Sequence, residues 1–254
     1  MNGVVLLGGE GKSTEYVANA LAKAGVLSAV IIENPPSNQK MLKYRIRRLG
    51  IWNVIGQLMF MAFERSFLKN ASRIRQLEQQ YSLDLGMPIG VEIHPVTSVN
   101  SIECRDLLRT LSPRVVVVNG TRIISKKVLR CTDMTFINTH VGITPRYRGV
   151  HGGYWALAEG NRDLFGTTVH YVDSGVDTGN IIIQETGEPT SSDNFKSYPV
   201  LQYGLIMNEL VRTVQLLLNG ELPPQKETPD LISRQYFHPT LGYYLWRRLR
   251  SGVK

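Results

Sequence analysis

The chain has 254 residues, 43% of them apolar, and a formal net charge of +8. That length can bury a full core as one large domain, or as one domain with appendages, and the charge calls for an anionic partner: a phosphate-bearing substrate, nucleic acid or a membrane surface. Cys104 and Cys131 are the only cysteines, which argues against a disulfide scaffold and a cysteine-rich zinc site. The start, MNGVVLLGGEGKS, has no basic n-region and only a short apolar run, so a cytoplasmic rather than a secreted protein is expected.

Residues 4–7 read as a strand, 8–11 as a glycine turn and 14–24 as a helix, the opening of a Rossmann-like unit. The turn is not a Walker A loop, because position 6 is Leu6, and it is not GxGxxG, because Thr14 takes the last glycine position. Backbone N–H groups at a helix start can still meet an anion, with Lys12 and Ser13 beside them. Residues 29–33 form a second predicted strand. From 37 to 80 the chain carries nine Lys or Arg residues against Glu64 and Glu78, while 49–63 has no charge at all. That apolar run is too short to span a bilayer. It fits a helical insertion packed on the sheet or in a dimer interface, which is the expected reading. A helix lying on a membrane surface and a lid over the substrate are the alternatives.

Residues 92–100 read as extended, 104–111 as a helix and 114–119 as a buried strand, followed by Gly120-Thr-Arg122-Ile123-Ile124. The stretch 135–185 then places polar groups at strand ends. Asn138 and His140, two apart, project from one face of a strand. A turn-rich segment, a short helix and a strand from 167 to 172 lead to the loop Asp173-Ser-Gly-Val-Asp177-Thr-Gly179 and a strand over 181–183. Open α/β sheets bind ligands in such positions. An amide and a protonated imidazole on one face can both donate to a developing oxyanion, and a nearby carboxylate can support the imidazole's charge and relay a proton. The set suits acyl transfer to an amine. Beyond it, 201–217 reads as a long closing helix. The end, from 236 on, interleaves aromatics with arginines, a pattern that can stack bases or bind a surface but commonly packs its rings on the body.

The linked motifs Asn138-Thr-His140, Pro145-Arg-Tyr-Arg-Gly149, Gly166-Thr-Thr-Val-His170 and Asp173-Ser-Gly-Val-Asp177-Thr-Gly179 resemble those of the folate-dependent formyltransferases. The likeness covers about residues 1–222 and is weakest over 36–90. Where that family usually has Ser-Leu-Leu-Pro after the His, this chain has Gly142-Ile-Thr-Pro145. The resemblance implies an α/β fold, a Rossmann-like, twisted and mostly parallel sheet. Its catalytic domain would span 1–222 with a helical insertion at about 37–90, and 223–254 would be an aromatic and basic extension. It also implies transfer of a formyl group from 10-formyltetrahydrofolate to a primary amine, with no metal. Asn138, His140 and Asp177 would be catalytic. Arg122, Ile123, Ile124, Asp173, Gly175 and Val176 would hold the folate.

The turn Gly9-Glu-Gly11-Lys12-Ser13 resembles the phosphate turn of the glycinamide ribonucleotide enzymes. Together with Tyr147, Arg148 and Gly149 it would hold the amine substrate. A nucleotide-linked amino sugar is the expected acceptor, and glycinamide ribonucleotide is the alternative. Nucleic acid is not expected, because the tail is shorter than the extra domain of the methionyl-tRNA enzymes. The competing class is a non-catalytic nucleotide-binding or membrane-binding module that kept the fold.

Overall fold

The computed structural model describes residues 3–227 and 230–254, with only the backbone of Asn38 and Lys40. Five strands run parallel: β1 (Val4–Gly9), β2 (Leu27–Glu33), β3 (Glu92–Val96), β4 (Val115–Asn119) and β5 (Thr135–His140). Two more, β7 (Gly166–Tyr171) and β8 (Ile181–Thr186), add antiparallel at one edge, giving the order β3-β2-β1-β4-β5-β7-β8. The mostly parallel sheet expected from the sequence is therefore present. The chain moves outward through β2 and β3, then returns to place β4 on the other side of β1. That reversal makes a crevice at the carboxyl edge, the usual place for a ligand in open sheets.

Alternation along the strands divides the core in two. Val4, Leu6, Val30, Val115, Val117 and Ile137 face one layer, with α1 (Lys12–Lys23) and α8 (Tyr198–Asn219). Val5, Leu7, Ile31, Val116, Val118 and Phe136 face the other, where α5 (Ile102–Leu111) supplies Leu108 and α6 (Lys126–Leu129) supplies Val128. Both faces are covered, which is why β4 reads as an unbroken valine run.

The tail packs its rings on the body, the commoner arrangement for such a sequence. Its strand β9 (Arg234–Tyr236) pairs parallel with β6 (Tyr147–Gly149), a small second sheet that the sequence did not announce. Its helix α9 (Leu241–Ser251) drives Tyr244 into the main core, 0% exposed, against Phe60, Phe63, Tyr154 and Phe195. Tyr244→Ala is therefore expected to cost about 3–5 kcal/mol, the range for truncating a large buried ring, read as a lowered denaturant midpoint. A change below about 1 kcal/mol would show the tail to be peripheral after all.

The insertion forms α2 (Asn38–Leu49), α3 (Ile51–Phe67) and α4 (Ala71–Gln80). α4 is anchored by the two-pronged ion pair of Arg73 with buried Asp193, at 2.9 and 3.0 Å. α3 buries only one face, through Val54, Gln57 and Phe60. Its remaining apolar residues were expected to be covered by the fold or by a partner. Within this chain they face outward, Trp52 being 81% exposed.

Candidate active site

β5 ends in the cluster that the sequence pointed to. Asn138 is directly opposite His170 of β7 in the antiparallel register, so the strand pairing itself brings their side chains together, Nδ2 to Nε2 at 3.1 Å. His170 Nδ1–H donates to the Tyr171 carbonyl at 2.8 Å, leaving Nε2 as the acceptor for the Asn138 amide. The other Asn138 N–H points at Asp177 Oδ1, 3.4 Å away. His140, 6% exposed, is held in the same manner. Its Nε2–H donates to the Tyr147 carbonyl at 2.7 Å, which turns Nδ1 toward Asp177 Oδ2 at 3.5 Å. The side chain of Tyr147 plays no part in this, being fully buried and bonded to Glu159 and Asn161.

Asp177 is the hub. It sits at φ 51, a left-handed conformation that Asp tolerates better than most residues. This turns the carboxylate inward to accept the Gly149 N–H at 2.9 Å. Gly149 must be glycine, since at φ 93 a Cβ would also meet the Tyr236 carbonyl at 2.4 Å. Burial alone would raise the Asp177 carboxyl. The charge of His140, the nearness of His170 and the Gly149 N–H outweigh it and hold the group well below the usual carboxylate range. The loop carrying Asp177 is closed by Asp173, whose carboxylate accepts from Gly175 N–H at 2.9 Å and Thr178 Oγ1 at 2.7 Å.

The cluster opens into a cavity of about 520 Å³. The cavity wall includes Arg122, Ile123 and Ile124 after β4, and Asp173, Gly175 and Val176 from the loop. These two segments were assigned to one ligand from the sequence, and they face each other here. Asn138, His140, Asp177 and Gly149 line the same space. Arg148 braces it from outside, donating to the Val176 carbonyl at 2.9 Å and to Ser233 Oγ at 2.8 Å. Arg122 N–H donates to buried Glu33 at 2.9 Å and its Nη2 to the Asn34 carbonyl at 2.7 Å, while its Nε lies 3.5 Å from Glu33 Oε1 in an ion pair. Thr139 Oγ1 is buried without a hydrogen-bond partner.

Gly9, Gly11, Lys12 and Ser13 are not brought to this wall. Lys12 is paired with Glu78 at 3.0 Å, and Glu78 also accepts from Tyr16. Ser13 Oγ accepts from Asn119 Nδ2 at 3.1 Å, and Asn119 accepts from Tyr203 at 2.6 Å. Asn119, fully buried at the end of β4, thus ties that strand to the start of α1 and to α8.

Residues that the sequence reading did not assign to the site are Tyr44 of α2, His170, Tyr203 and the tail's Gln235, Tyr236 and Phe237, all on the cavity wall. His170 carried a signal, as the last residue of the Gly166–His170 motif. The tail residues carried none, because only the β6–β9 pairing delivers them. Tyr44 of the insertion and these tail residues thus share the wall with the two segments assigned to folate. Among the described residues no group of three or more His, Cys, Asp or Glu is gathered as a metal site would need.

A second imidazole pair lies beside the cluster. His151 Nε2 meets His238 Nδ1 at 2.9 Å, linking the start of α7 (Gly152–Glu159) to the tail. Burial pushes both groups down: His151 goes well below its ordinary value, with His238 and then Arg45 adding to the effect, and His238 goes to about 4, with Arg45 adding. Both are therefore neutral in the folded chain, whereas the unfolded chain takes up protons at about pH 6.5. Above that pH neither state is charged and nothing is lost. Below it the unfolded state gains protons that the folded state refuses, so stability falls between about pH 6.5 and 4. The denaturant midpoint should drop across that window, and drop less in His238→Asn. An equal drop in the variant would remove the pair as its source.

A mostly parallel open sheet with an Asn–His–Asp centre at its carboxyl edge defines an α/β group-transfer protein. Comparison with known proteins narrows the class. The profile described as "Formyl transferase" matches residues 73–198. The methionyl-tRNA formyltransferase of Pelotomaculum thermopropionicum is 31% identical over 145 residues, 56% of this chain and 46% of that protein. The methionyl-tRNA formyltransferase of Halothermothrix orenii is 30% identical over 167 residues, 65% of this chain and 52% of that protein. The chain thus spans about half the length of the curated relatives it matches.

Among solved structures, a sugar N-formyltransferase from a Shewanella species has a TM-score of 0.55 at 14% identity, over 93% of this chain and 77% of that one. Phosphoribosylglycinamide formyltransferase from Anaplasma phagocytophilum has a TM-score of 0.57 at 20% identity, over 89% and 94%. An N-formyltransferase from Helicobacter canadensis, solved with folinic acid and dTDP-3-aminofucose, has a TM-score of 0.53 at 14% identity, over 91% and 70%. At such identities these three speak for the fold. The linked motifs, the profile and the curated relatives support a folate-dependent formyltransferase family for this chain.

Proposed function

We propose that this chain transfers the formyl group of 10-formyltetrahydrofolate to a primary amine, and that the amine belongs to a nucleotide-linked amino sugar. The observation that carries the first part is the convergence of Asn138, His140 and Asp177 on one cavity wall, with both segments assigned to folate beside them. Folate supplies an activated formyl carbon. The amine nitrogen bonds to that carbon, the bond from the carbon to N10 breaks, and the amine's proton passes to N10. Asn138 exchanges its long 3.4 Å bond to Asp177 for one to the oxyanion forming on the formyl oxygen. His140, its Nε2 fixed by the Tyr147 carbonyl, presents Nδ1 as the group that donates to the oxyanion and carries the proton. Asp177, ionised across the ordinary pH range, balances the charge that His140 takes on.

The amino-sugar part is supported by the aromatic rings that Tyr44 and Phe237 add to the cavity wall, with the Arg48 guanidinium 5.9 Å from the Phe237 ring centre. Flat faces and a cation suit a nucleotide carrier. A second reading, methionyl-tRNA as acceptor, is favoured by the names of the curated relatives and by the net charge of +8. Release of tetrahydrofolate, followed with a nucleotide-linked amino sugar, glycinamide ribonucleotide and methionyl-tRNA offered separately, decides between them. Turnover with the sugar is expected. Turnover confined to methionyl-tRNA replaces the acceptor, and no release with any amine removes the transfer reading itself.

A further inference from the structure

α3 is apolar on both of its long faces. No charge occurs from 49 to 63. The face opposite Val54, Gln57 and Phe60 carries Ile51, Ile55, Leu58 and Met59, recurring at i, i+4, i+7 and i+8, with Trp52 at its shoulder. α9 packs beside α3 through Tyr244 and leaves Trp246 and Leu249 outside, the latter 88% exposed. Exposed apolar side chains gathered on two neighbouring helices mark something that they meet.

The charge around them selects the occupant. Across α2, α3 and α9 the only acidic residue is Glu64, and it is already ion-paired with Lys196. The basic residues are many, with Arg47, Arg48, Arg247, Arg248 and Arg250 at the margins. Arg247 and Arg250 lie over the Trp246 ring, at 5.2 and 5.8 Å. A two-fold contact with a second copy would set this basic rim against itself. An anionic lipid surface complements it: apolar side chains enter the acyl boundary, and arginines reach back to the headgroups. Among the described residues no helix is long and apolar enough to cross a membrane, so the contact is with the surface.

We propose that the α2–α3–α9 face docks this protein on an anionic lipid membrane, with Trp52, Leu58, Met59, Trp246 and Leu249 as the inserted residues. The proposal does not depend on formyl transfer, because lipid binding is read without turnover. The patch does adjoin the cavity: Tyr44 of α2 lines it, and Arg48 Nη2 donates to Gln235 on its wall at 3.3 Å.

Co-sedimentation of the intact chain tests this, using phosphatidylcholine vesicles and phosphatidylcholine vesicles with about a third phosphatidylglycerol. The expected result is binding to the anionic vesicles alone, weakening at least about tenfold as ionic strength rises from about 0.1 M to about 1 M and the screening length shrinks to about 3 Å. Trp52→Glu with Leu249→Glu should abolish binding while the far-ultraviolet circular dichroism is kept. Both positions are exposed, so the fold has little stake in them. Arg47→Ser with Arg250→Ser should weaken binding without abolishing it. No binding by the wild-type chain overturns the proposal, as does equal binding to both vesicles. A stable dimer in analytical ultracentrifugation that Trp52→Glu dissociates, together with no vesicle binding, gives the face to a second copy instead.

Discussion

His140→Ala is expected to lower turnover by about two to three orders of magnitude, the usual loss when one donor to a developing oxyanion is removed. The chain should stay folded. His140 is buried, but its ring bonds only to the Tyr147 carbonyl and faces Asp177, so no large apolar contact is lost. The kinetic signature matters as much as the size. An interaction made only in the transition state lowers kcat and kcat/KM together, whereas a lost binding contact raises KM. Unchanged kcat with a raised KM would recast His140 as a residue that merely shapes the wall.

Asp177→Asn should lose a comparable factor, for a different reason. The amide keeps the size, and its oxygen can still accept the Gly149 N–H. It has no charge to balance His140 and no site to receive a proton. Its NH2 group would also face the Asn138 NH2, donor against donor. The pH dependence should change as well as the height. With wild-type Asp177 ionised well below neutrality, the carboxylate contributes no limb in the ordinary range. Replacing it removes the negative charge that faces the His140 ring. A sign follows for stability too. A carboxylate lowered in the folded state stabilises the fold above its ordinary range, and that contribution is lost as pH falls through it. Asp177→Asn should therefore flatten the acid limb of the unfolding profile. If the pH–rate profile keeps both shape and height, Asp177 only holds the turn.

Much of this centre was legible in the sequence because its parts are local. Asn138 and His140 share a strand face by the two-residue period, and Asp177 lies in a loop whose Asp173, Gly175 and Thr178 bond within five residues of one another. The strand runs of β1, β2, β4 and β5 were legible for the same reason, since a strand buried on both faces is apolar throughout. What was not legible is what long-range pairing brings in. Tyr236 and Phe237 reach the cavity only through the β9–β6 register, and His170 reaches Asn138 only through the β5–β7 register. The turn at Lys12 and Ser13 shows the opposite limit. Its local pattern suits an anion, yet Glu78 and Asn119, both distant in sequence, occupy those side chains. α3 shows a third. Its composition announces burial, but a composition does not say how many faces a neighbour covers.

The most direct test of the central claim follows the formyl carbon itself. 10-Formyltetrahydrofolate with an isotopically labelled formyl group is incubated with the wild-type chain and a nucleotide-linked amino sugar, and products are read by mass spectrometry. The account predicts the label in an N-formyl amide of the sugar, matched mole for mole by tetrahydrofolate and formed about two to three orders of magnitude more slowly with His140→Ala. Label released as free formate at the same rate with and without the amine would contradict it, since the cavity would then be opening the donor to water rather than passing its carbon to nitrogen.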